Sequence, residues 1–150
     1  MSGDNEDIVI TVLRSQLAIV RAVRSVANKE GLSMQQFGVL RLLALKAPIA
    51  MSILGEELKV SPPVITGLVD RLEGKRLVQR RASTADRRRT EIWLLNGGME
   101  VYRRIQAGYR RLLQESLESS LSPREQDQLA NLLGRFGTVL LQKVTDKQNG

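Results

Sequence analysis

The spacing of apolar residues along the chain predicts a fold made mostly of helices. Over residues 8–28, apolar side chains recur every three or four positions, which is the period of a helix that buries one face. Gly31 follows and is expected to end that helix. Ser33 and Gln36 then have the spacing of a capping box, which predicts a second helix that stops near Pro48.

A pair of short helices is predicted next. The first covers about residues 52–58, and Lys59 and Val60 form the turn that follows it. Ser61 is expected to cap the second helix, with Pro62 at the first helical position, where the missing N–H costs nothing. Two short helices joined by such a turn form a helix-turn-helix.

Beyond Gly74 the apolar period changes from that of a helix to that of a strand. Residues 77–83 and 90–95 both have the pattern of strands, and the polar segment between them predicts an exposed hairpin tip. A hairpin directly after a helix-turn-helix is a wing. A long helix is then expected over about residues 98–119.

The end of the chain predicts one more amphipathic helix. Ser122, Pro123 and Glu125 supply a cap, a first helical residue and a capping-box partner, and residues 144–150 are expected to fray. The side that this helix should bury consists of Leu129, Leu132, Leu133, Phe136 and Leu140. The expected fold class is therefore mainly α with a small β-hairpin wing.

The composition removes several classes of function. The chain contains no cysteine and no histidine, so disulfides, thiol redox sensing, thiolate zinc sites and the commonest general base are excluded. Its other reactive side chains show no phosphate loop and no metal-ligand spacing, so we expect no enzyme, no metal and no cofactor. The chain has no run of eighteen apolar residues, so no membrane-spanning segment is expected. No secretory signal is expected either, because residues 1–7 are acidic and polar. A cytoplasmic protein without a membrane partner is expected.

Positive charge is concentrated in one short segment. The net charge of the chain is +7. Residues 75–89 contain seven basic side chains and one acid, whereas the other 135 residues carry nearly equal numbers of basic and acidic side chains. The basic side chains are Lys75, Arg76, Arg80, Arg81, Arg87, Arg88 and Arg89. Taken alone, such a segment is more often a solvated loop. Next to a helix-turn-helix, it favours a surface that binds the phosphates of double-stranded DNA.

The second short helix is the candidate for reading bases in the major groove. The outward positions of this helix are Ser61, Pro62, Pro63, Thr66, Gly67 and Asp70. Thr66 can contact a base edge through its hydroxyl or methyl group, and the two prolines can pack on thymine methyls. Ser61 is placed to meet a phosphate, and Arg71 to reach the backbone. In the alternative interpretation, Ser61 is only a cap and the prolines are only a rigid helix start.

The wing is the candidate for contacts outside the major groove. An arginine from Arg87, Arg88 or Arg89 at the hairpin tip could enter the negative, narrow minor groove. Asp86 is expected to hold one of these guanidinium groups in place through a paired contact. In the strand before the tip, Arg80 and Arg81 are expected to add charge against the DNA backbone.

These motifs resemble the MarR family of transcription regulators. The resemblance rests on the run SPPVITGLVDRLE from Ser61 to Glu73, on Leu77-Val78, on Asp86-Arg87-Arg88, and on the spacing of Leu94 and Gly98. It implies a dimeric winged helix-turn-helix in which Asp86 orients an arginine and Arg88 enters the minor groove.

Three positions depart from the pattern of that family. Gly67 stands where a polar base reader is common, which predicts sparse base contacts. Arg76 replaces a glycine, so either Arg76 is left-handed or the helix end shifts to Gly74. Leu95 replaces a threonine, so Asn96 is expected to cap the next helix one residue later.

The resemblance also divides the chain into two regions. A DNA-binding lobe is expected over 33–95, and a homodimerisation region is expected from 8–28 and 98–143. A monomer with an intramolecular helical bundle is the alternative. The resemblance further implies a small aromatic effector between the two regions, with candidate contacts from Arg14, Arg21, Arg24, Tyr102 and Tyr109.

The function expected from these features is a regulator, most simply a repressor, that binds a pseudo-palindromic duplex as a homodimer. The rival interpretation is an architectural protein that coats duplex DNA with little sequence preference. Gly67 and the shortage of polar readers favour that rival slightly.

Overall fold

The computed structural model describes residues 7–148, which form six helices and three strands. They are α1 (Ile8–Lys29), α2 (Met34–Lys46), β1 (Ile49–Ala50), α3 (Met51–Leu58), α4 (Pro62–Gly74), β2 (Val78–Ala82), β3 (Thr90–Leu94), α5 (Asn96–Ser120) and α6 (Pro123–Gln148). The predicted fold class, mainly α with a hairpin wing, is confirmed. Most of the acidic N-terminal segment used in the sequence argument lies outside the described residues.

The first two helices begin where the cap signals predicted. Asp7 caps α1 by accepting a hydrogen bond from the amide of Val9 at 2.9 Å. The capping box of α2 is complete, because Ser33 Oγ accepts from the Gln36 amide at 3.2 Å and Gln36 Oε1 accepts from the Ser33 amide at 2.9 Å. Gly31 ends the first segment with a φ of 71°, a left-handed conformation that glycine adopts without steric cost.

The helix-turn-helix consists of α3 and α4. Lys59 adopts a left-handed conformation with φ 53° and turns the chain between them. Helix α4 buries one side in the core, through Ile65, Leu68, Val69 and Leu72. Its opposite side is left exposed, as the apolar period predicted.

The end of α4 shows both of the features that were expected as alternatives at Arg76. Helix α4 ends at Gly74, and Arg76 is left-handed with φ 57°. The Leu77 amide donates to the Leu72 carbonyl at 3.0 Å and the Arg76 amide to the Glu73 carbonyl at 2.8 Å. These two bonds form a Schellman motif, and they hold an arginine at the position that usually favours glycine.

The wing is part of a three-stranded antiparallel sheet with the strand order β1-β3-β2. Val78 lies opposite Leu94, and Ala82 lies opposite Thr90. The sequence pattern predicted only the two hairpin strands. Strand β1 was missed because its two residues are too few to show an alternating pattern. It extends the sheet by pairing Ile49 with Ile92.

The start of α5 differs from the prediction by one step. We expected Asn96 to cap the helix, but Asn96 is the first helical residue. Leu95 occupies the cap position, where its carbonyl accepts from the Met99 amide at 3.0 Å. The Leu95 amide is already bound to the Leu77 carbonyl at 3.0 Å, so the backbone of the wing determines where α5 begins.

Two glycines allow α5 to pack closely within the unit that ends at Arg110. A β-carbon at Gly98 would collide with the backbone carbonyl of Leu77 and crowd the Leu94 side chain. At Gly108, a β-carbon would stand 2.7 Å from a methyl group of Val26 in α1. The buried core of this unit consists of apolar side chains from α2, α3, α4, α5 and the sheet, including Leu40, Leu54, Leu72, Ile92 and Ile105.

The second unit begins at Arg111 and contains α6. Ser122 and Glu125 form the predicted cap, with the Ser122 amide donating to Glu125 Oε2 at 2.8 Å. Residues 144–148 continue α6 rather than fray, which corrects the prediction for them.

The apolar side of α6 is not buried within one chain, contrary to the sequence prediction. Leu132 is 59% exposed, Phe136 is 48% exposed and Leu140 is 48% exposed. Leu133 is about half exposed and Leu129 is half-buried. No helix within residues 7–148 is long and apolar enough to cross a lipid bilayer.

Candidate nucleic-acid interface

The outward side of α4 contains the residues that the sequence singled out. Ser61, Pro62, Pro63 and Thr66 are exposed, as is Arg71. Gly67 opens onto space, since a β-carbon there would meet no atom within 4 Å. This surface offers one hydroxyl in its middle, that of Thr66.

The start of α4 is poor in hydrogen-bond donors. Ser61 stands at the N-cap position as predicted, but its side chain makes no cap bond, which corrects the capping role. A cap normally accepts from the second or third helical amide, and the second residue here is Pro63, which has no N–H. With Pro62 also lacking N–H, Val64 has the only amide among the first three helical residues. The helix terminus therefore has little capacity to bind phosphate through its amides.

A cleft of about 640 Å³ lies between α3, the start of α4 and the wing. Thr66 lines it from α4, and Arg88 and Arg89 line it from the wing side. Lys59 contributes from the turn of the helix-turn-helix. The structure thus brings the candidate base reader and two tip arginines to the same cleft.

The hairpin tip is organised by Asp86 in an unexpected way. Asp86 Oδ1 accepts from the backbone amide of Arg88 at 3.0 Å, and Asp86 Oδ2 lies 3.6 Å from Nε of Arg89. The carboxylate thus lies beside one tip guanidinium, as predicted, but that group belongs to Arg89, and no pairing with the Arg88 guanidinium is found within residues 7–148. Asp86 instead fixes the backbone that presents Arg88. Arg87 and Arg88 are exposed at the tip.

Arg80 is engaged inside the protein. Its guanidinium is 2.5 Å from Asp70 and 2.6 Å from Glu73, both on α4, and its side chain is only 26% exposed. Arg80 also lines the cleft with Thr66 and Arg88, and its predicted contact with the DNA backbone stays a prediction. The sequence pattern assigned Arg80 and Arg81 the same predicted role, and it placed Asp70 on the base-facing side of α4 without a partner.

Glu73 and Arg80 stabilise each other's charged forms. The backbone amide of Arg80 lowers the pKa of Glu73, and the Arg80 guanidinium adds to that effect although partial burial opposes it. Burial disfavours the charge on Arg80, but its hydrogen bonds to Asp70 and Glu73 outweigh burial and raise its pKa.

Arg81 lies on the other face of the wing and is exposed. Its guanidinium carbon is 4.7 Å from the centre of the Trp93 ring, and its Nη2 donates to Gln79 at 2.9 Å. The stacking holds an exposed charge in a defined place. Trp93 was missed as a functional neighbour, although strand alternation places positions 79, 81, 91 and 93 on one face. Its Nε1 is buried and has no partner among the described residues.

The candidate effector residues are only partly brought together. Tyr102 stacks on Phe37 with ring centres 6.1 Å apart, and Tyr109 meets the same ring edge-on at 6.5 Å. Phe37 joins the two tyrosines but was not among the predicted contacts. Three arginines of α1, namely Arg14, Arg21 and Arg24, are exposed. Within residues 7–148, no cluster of three acidic side chains could hold a metal ion.

Comparisons with known proteins agree with this arrangement. Residues 32–90 match the model of the MarR family. A curated relative, the HTH-type transcriptional regulator MhqR of Bacillus subtilis, is 30% identical over 132 residues, which are 83% of this chain and 90% of the relative.

Solved structures show the same fold. The YusO protein of Bacillus subtilis matches with a TM-score of 0.79 and 26% identity, covering 92% of this chain and 99% of that one. A point mutant of Staphylococcus aureus MepR, bound to an oligodeoxyribonucleotide, matches with a TM-score of 0.71 and 18% identity, covering 89% of this chain and 98% of that one.

Proposed function

Because this chain belongs to the MarR family of DNA-binding transcription regulators, we propose that it acts as a homodimer on a pseudo-palindromic duplex site. The chain is a transcriptional regulator and not an enzyme. In the proposed complex, α4 enters the major groove and the wing arginine Arg88 enters the neighbouring minor groove.

The observation that carries this proposal is the position of α4 beside the wing. Thr66 and Arg88 line one cleft from two different elements. A major groove accepts a helix, and the adjacent minor groove attracts a guanidinium. The exposed arginines at positions 81, 87, 88 and 89 supply positive charge for phosphates on both sides of the contact.

Exposed apolar side chains support the homodimer. Helix α1 exposes Ile8 at 76% and Leu13 at 58%, and α6 exposes Leu132 and Leu141 at 59% and 70%. Burying one side chain of this size contributes roughly 1.5–3 kcal/mol. Several such side chains on each chain can therefore hold two copies together at micromolar concentration. Two symmetry-related copies of α4 would then read the two halves of an inverted repeat.

The dimer assigns the regions of the chain. Residues 33–95 form the DNA-binding lobe, and residues 8–28 and 98–143 supply the dimerisation helices. A small aromatic acid that binds near Tyr102 and Tyr109, with Arg14, Arg21 or Arg24 meeting its carboxylate, would act as the effector. Occupation of the operator by the dimer makes repression the simplest outcome.

An architectural DNA-binding role is the second candidate. The empty space at Gly67 and the single hydroxyl of Thr66 leave few groups to read bases. Selection from a random duplex pool, followed by competition against unrelated duplex, separates the two functions. A regulator prefers its selected site by roughly a thousandfold or more. Equal binding to both duplexes would replace the proposed function with the architectural one.

A further inference from the structure

One side chain joins the two parts of the proposed DNA interface. Arg80 belongs to β2, the first strand of the wing, and its guanidinium is held by two carboxylates of α4. Nη2 lies 2.5 Å from Asp70 Oδ1, and Nη1 lies 2.6 Å from Glu73 Oε2. Both distances are those of strong, charge-assisted hydrogen bonds.

Backbone groups also take part in the contact between Arg80 and α4. The amide of Arg80 donates to Glu73 Oε1 at 2.9 Å, so both oxygens of Glu73 are bound to this one residue. Arg80 Nη2 also donates to the carbonyl of Thr66 at 3.3 Å. Arg80 therefore contacts α4 at positions 66, 70 and 73, a span of about two helical turns.

We propose that Arg80 is a positioning residue for DNA recognition, which fixes the wing relative to α4 so that Thr66 and Arg88 reach the two grooves together. This inference rests on the proposed function. A fixed arrangement spares the entropy that a loosely attached wing would lose on docking. The effect should therefore appear in affinity for a specific site, where both contacts must be made at once.

If Arg80 acted only through its positive charge, a different effect on DNA binding would be expected. The positive charge of Arg80 is matched by two carboxylates and its side chain is mostly buried, so little of it is available to a phosphate. A true phosphate contact would weaken binding to every duplex when removed, and would reduce the salt dependence by about one unit. Arg80 should do neither.

Arg80→Lys tests the proposal while keeping the charge. A lysine ammonium lacks the planar fork that reaches both Asp70 and Glu73. The probes are a duplex selected from a random pool by the wild-type protein, and an unrelated duplex of the same length and composition. Affinity for the selected duplex should fall by roughly tenfold, the scale of one lost base contact. Affinity for the unrelated duplex and the salt dependence should stay as in the wild type.

Arg104→Lys is the matched control. Arg104 also uses two nitrogens on one carboxylate, with Nε and Nη2 of Arg104 at 3.1 and 2.9 Å from Glu30 Oε2, but it lies outside the wing. It should retain the preference for the selected duplex. Thermal unfolding of both variants separates a general loss of stability, which leaves the preference intact, from a loss of positioning.

Glu73→Gln provides a second test, in which the two explanations predict opposite signs. Removing a carboxylate near a polyanion should tighten binding to all duplexes by simple Coulomb attraction. Loss of positioning should instead weaken binding to the selected duplex. Tighter binding to that duplex would overturn the proposal.

The remaining outcomes also decide the matter. Arg80→Lys with an unchanged preference overturns the proposal. Equal losses on both duplexes with a smaller salt dependence in the charge-removing variant Arg80→Ala would identify a phosphate contact instead. If the wild-type protein selects no duplex, the proposed function fails instead. Residual dipolar couplings of the free protein then test Arg80 alone: the orientation of β2 relative to α4 should change in Arg80→Lys, and unchanged couplings overturn the inference.

Discussion

Asp86 holds Arg88 by its backbone, through a hydrogen bond of 3.0 Å from the Arg88 amide to the Asp86 carboxylate. The bond shapes the hairpin tip and so determines where the Arg88 side chain starts. An acid beside a polyanion should weaken DNA binding by its charge alone. Its structural role and its charge therefore act in opposite directions.

Asp86→Ala and Asp86→Asn separate these two effects. Alanine removes the acceptor and should weaken binding to a selected duplex, despite the loss of a negative charge. Asparagine keeps an oxygen acceptor, so the Asp86→Asn variant should bind the selected duplex more tightly than the Asp86→Ala variant does. Quantitative binding titrations at two salt concentrations measure both variants. If alanine bound the selected duplex more tightly than the wild type, the tip would act only through its net charge.

A β-carbon at position 98 should destabilise the fold. In Gly98→Ala the new methyl group would collide with the Leu77 carbonyl, which is itself fixed by the Leu95 amide. Overpacking of this kind costs about 1–3 kcal/mol. Gly67→Ala is the control, because its β-carbon meets open space and alanine favours a helix by about 0.5–1 kcal/mol. Denaturant unfolding at one protein concentration should shift in opposite directions for the two variants.

A charge in the apolar side of α6 should dissociate the proposed homodimer. The wild type should scatter light with twice the chain mass of 16.8 kDa at micromolar concentration. Phe136→Asp should lower that mass toward one chain, because an unpaired carboxylate would be buried in the interface. Circular dichroism checks that the helices remain. A wild-type mass of one chain throughout this range would contradict the homodimer.

Glu73 should make the stability of the fold sensitive to acid. Its pKa in the folded protein is lowered, first by the backbone amide of Arg80, from an ordinary value of 4.5. The unfolded chain therefore binds a proton more readily than the folded one, and stability rises with pH across this range. The contribution is fully present above pH 4.5 and is lost as the pH falls through the lowered value. In Glu73→Gln, the unfolding midpoint should depend less on pH in that window than it does in the wild type. Equal slopes of midpoint against pH for the two proteins would show that the pKa of Glu73 is unshifted.

Thr66 and Arg81 should affect DNA binding in different ways. Thr66→Ala should relax discrimination at one base position of each half-site, by about 1–3 kcal/mol at most. Arg81→Ala should weaken all duplexes similarly and reduce the salt dependence by about one unit. Binding to a panel of single-base operator variants measures the first effect, and an unchanged ranking with Thr66→Ala would exclude base reading. A salt titration on unrelated duplex measures the second.

Local signals in the sequence predicted most of the fold. Ser33 and Ser122 begin helices because their partners lie three residues away, so the whole capping box is visible in the sequence. The apolar period likewise identified the buried side of α4. The role of Asn96 as a cap was predicted wrongly, because the start of α5 depends on a distant contact. The Leu95 amide donates to the carbonyl of Leu77, eighteen positions earlier in the chain.

The candidate site was predicted less completely, because charge pairs depend on tertiary structure. Arg80 and Arg81 are neighbours with the same charge, yet strand alternation sends one toward the acids of α4 and the other toward Trp93. Strand alternation separates the two faces, but the approach of α4 to one of them is a property of the fold. Asp86 was identified as important, while its choice of the Arg88 amide depends on the exact turn.

The two prolines at the start of α4 determine how much water this surface must lose. Each backbone N–H that is buried against a base without a partner has to be dehydrated, and neither Pro62 nor Pro63 has one. In the proposed complex, their rings would present carbon to the groove at little dehydration cost. Discrimination between base pairs at this end of α4 should therefore depend on how well the proline rings fit the methyl groups of the bases. A change in the size of a base pair there should alter affinity more than a change in its hydrogen-bonding groups.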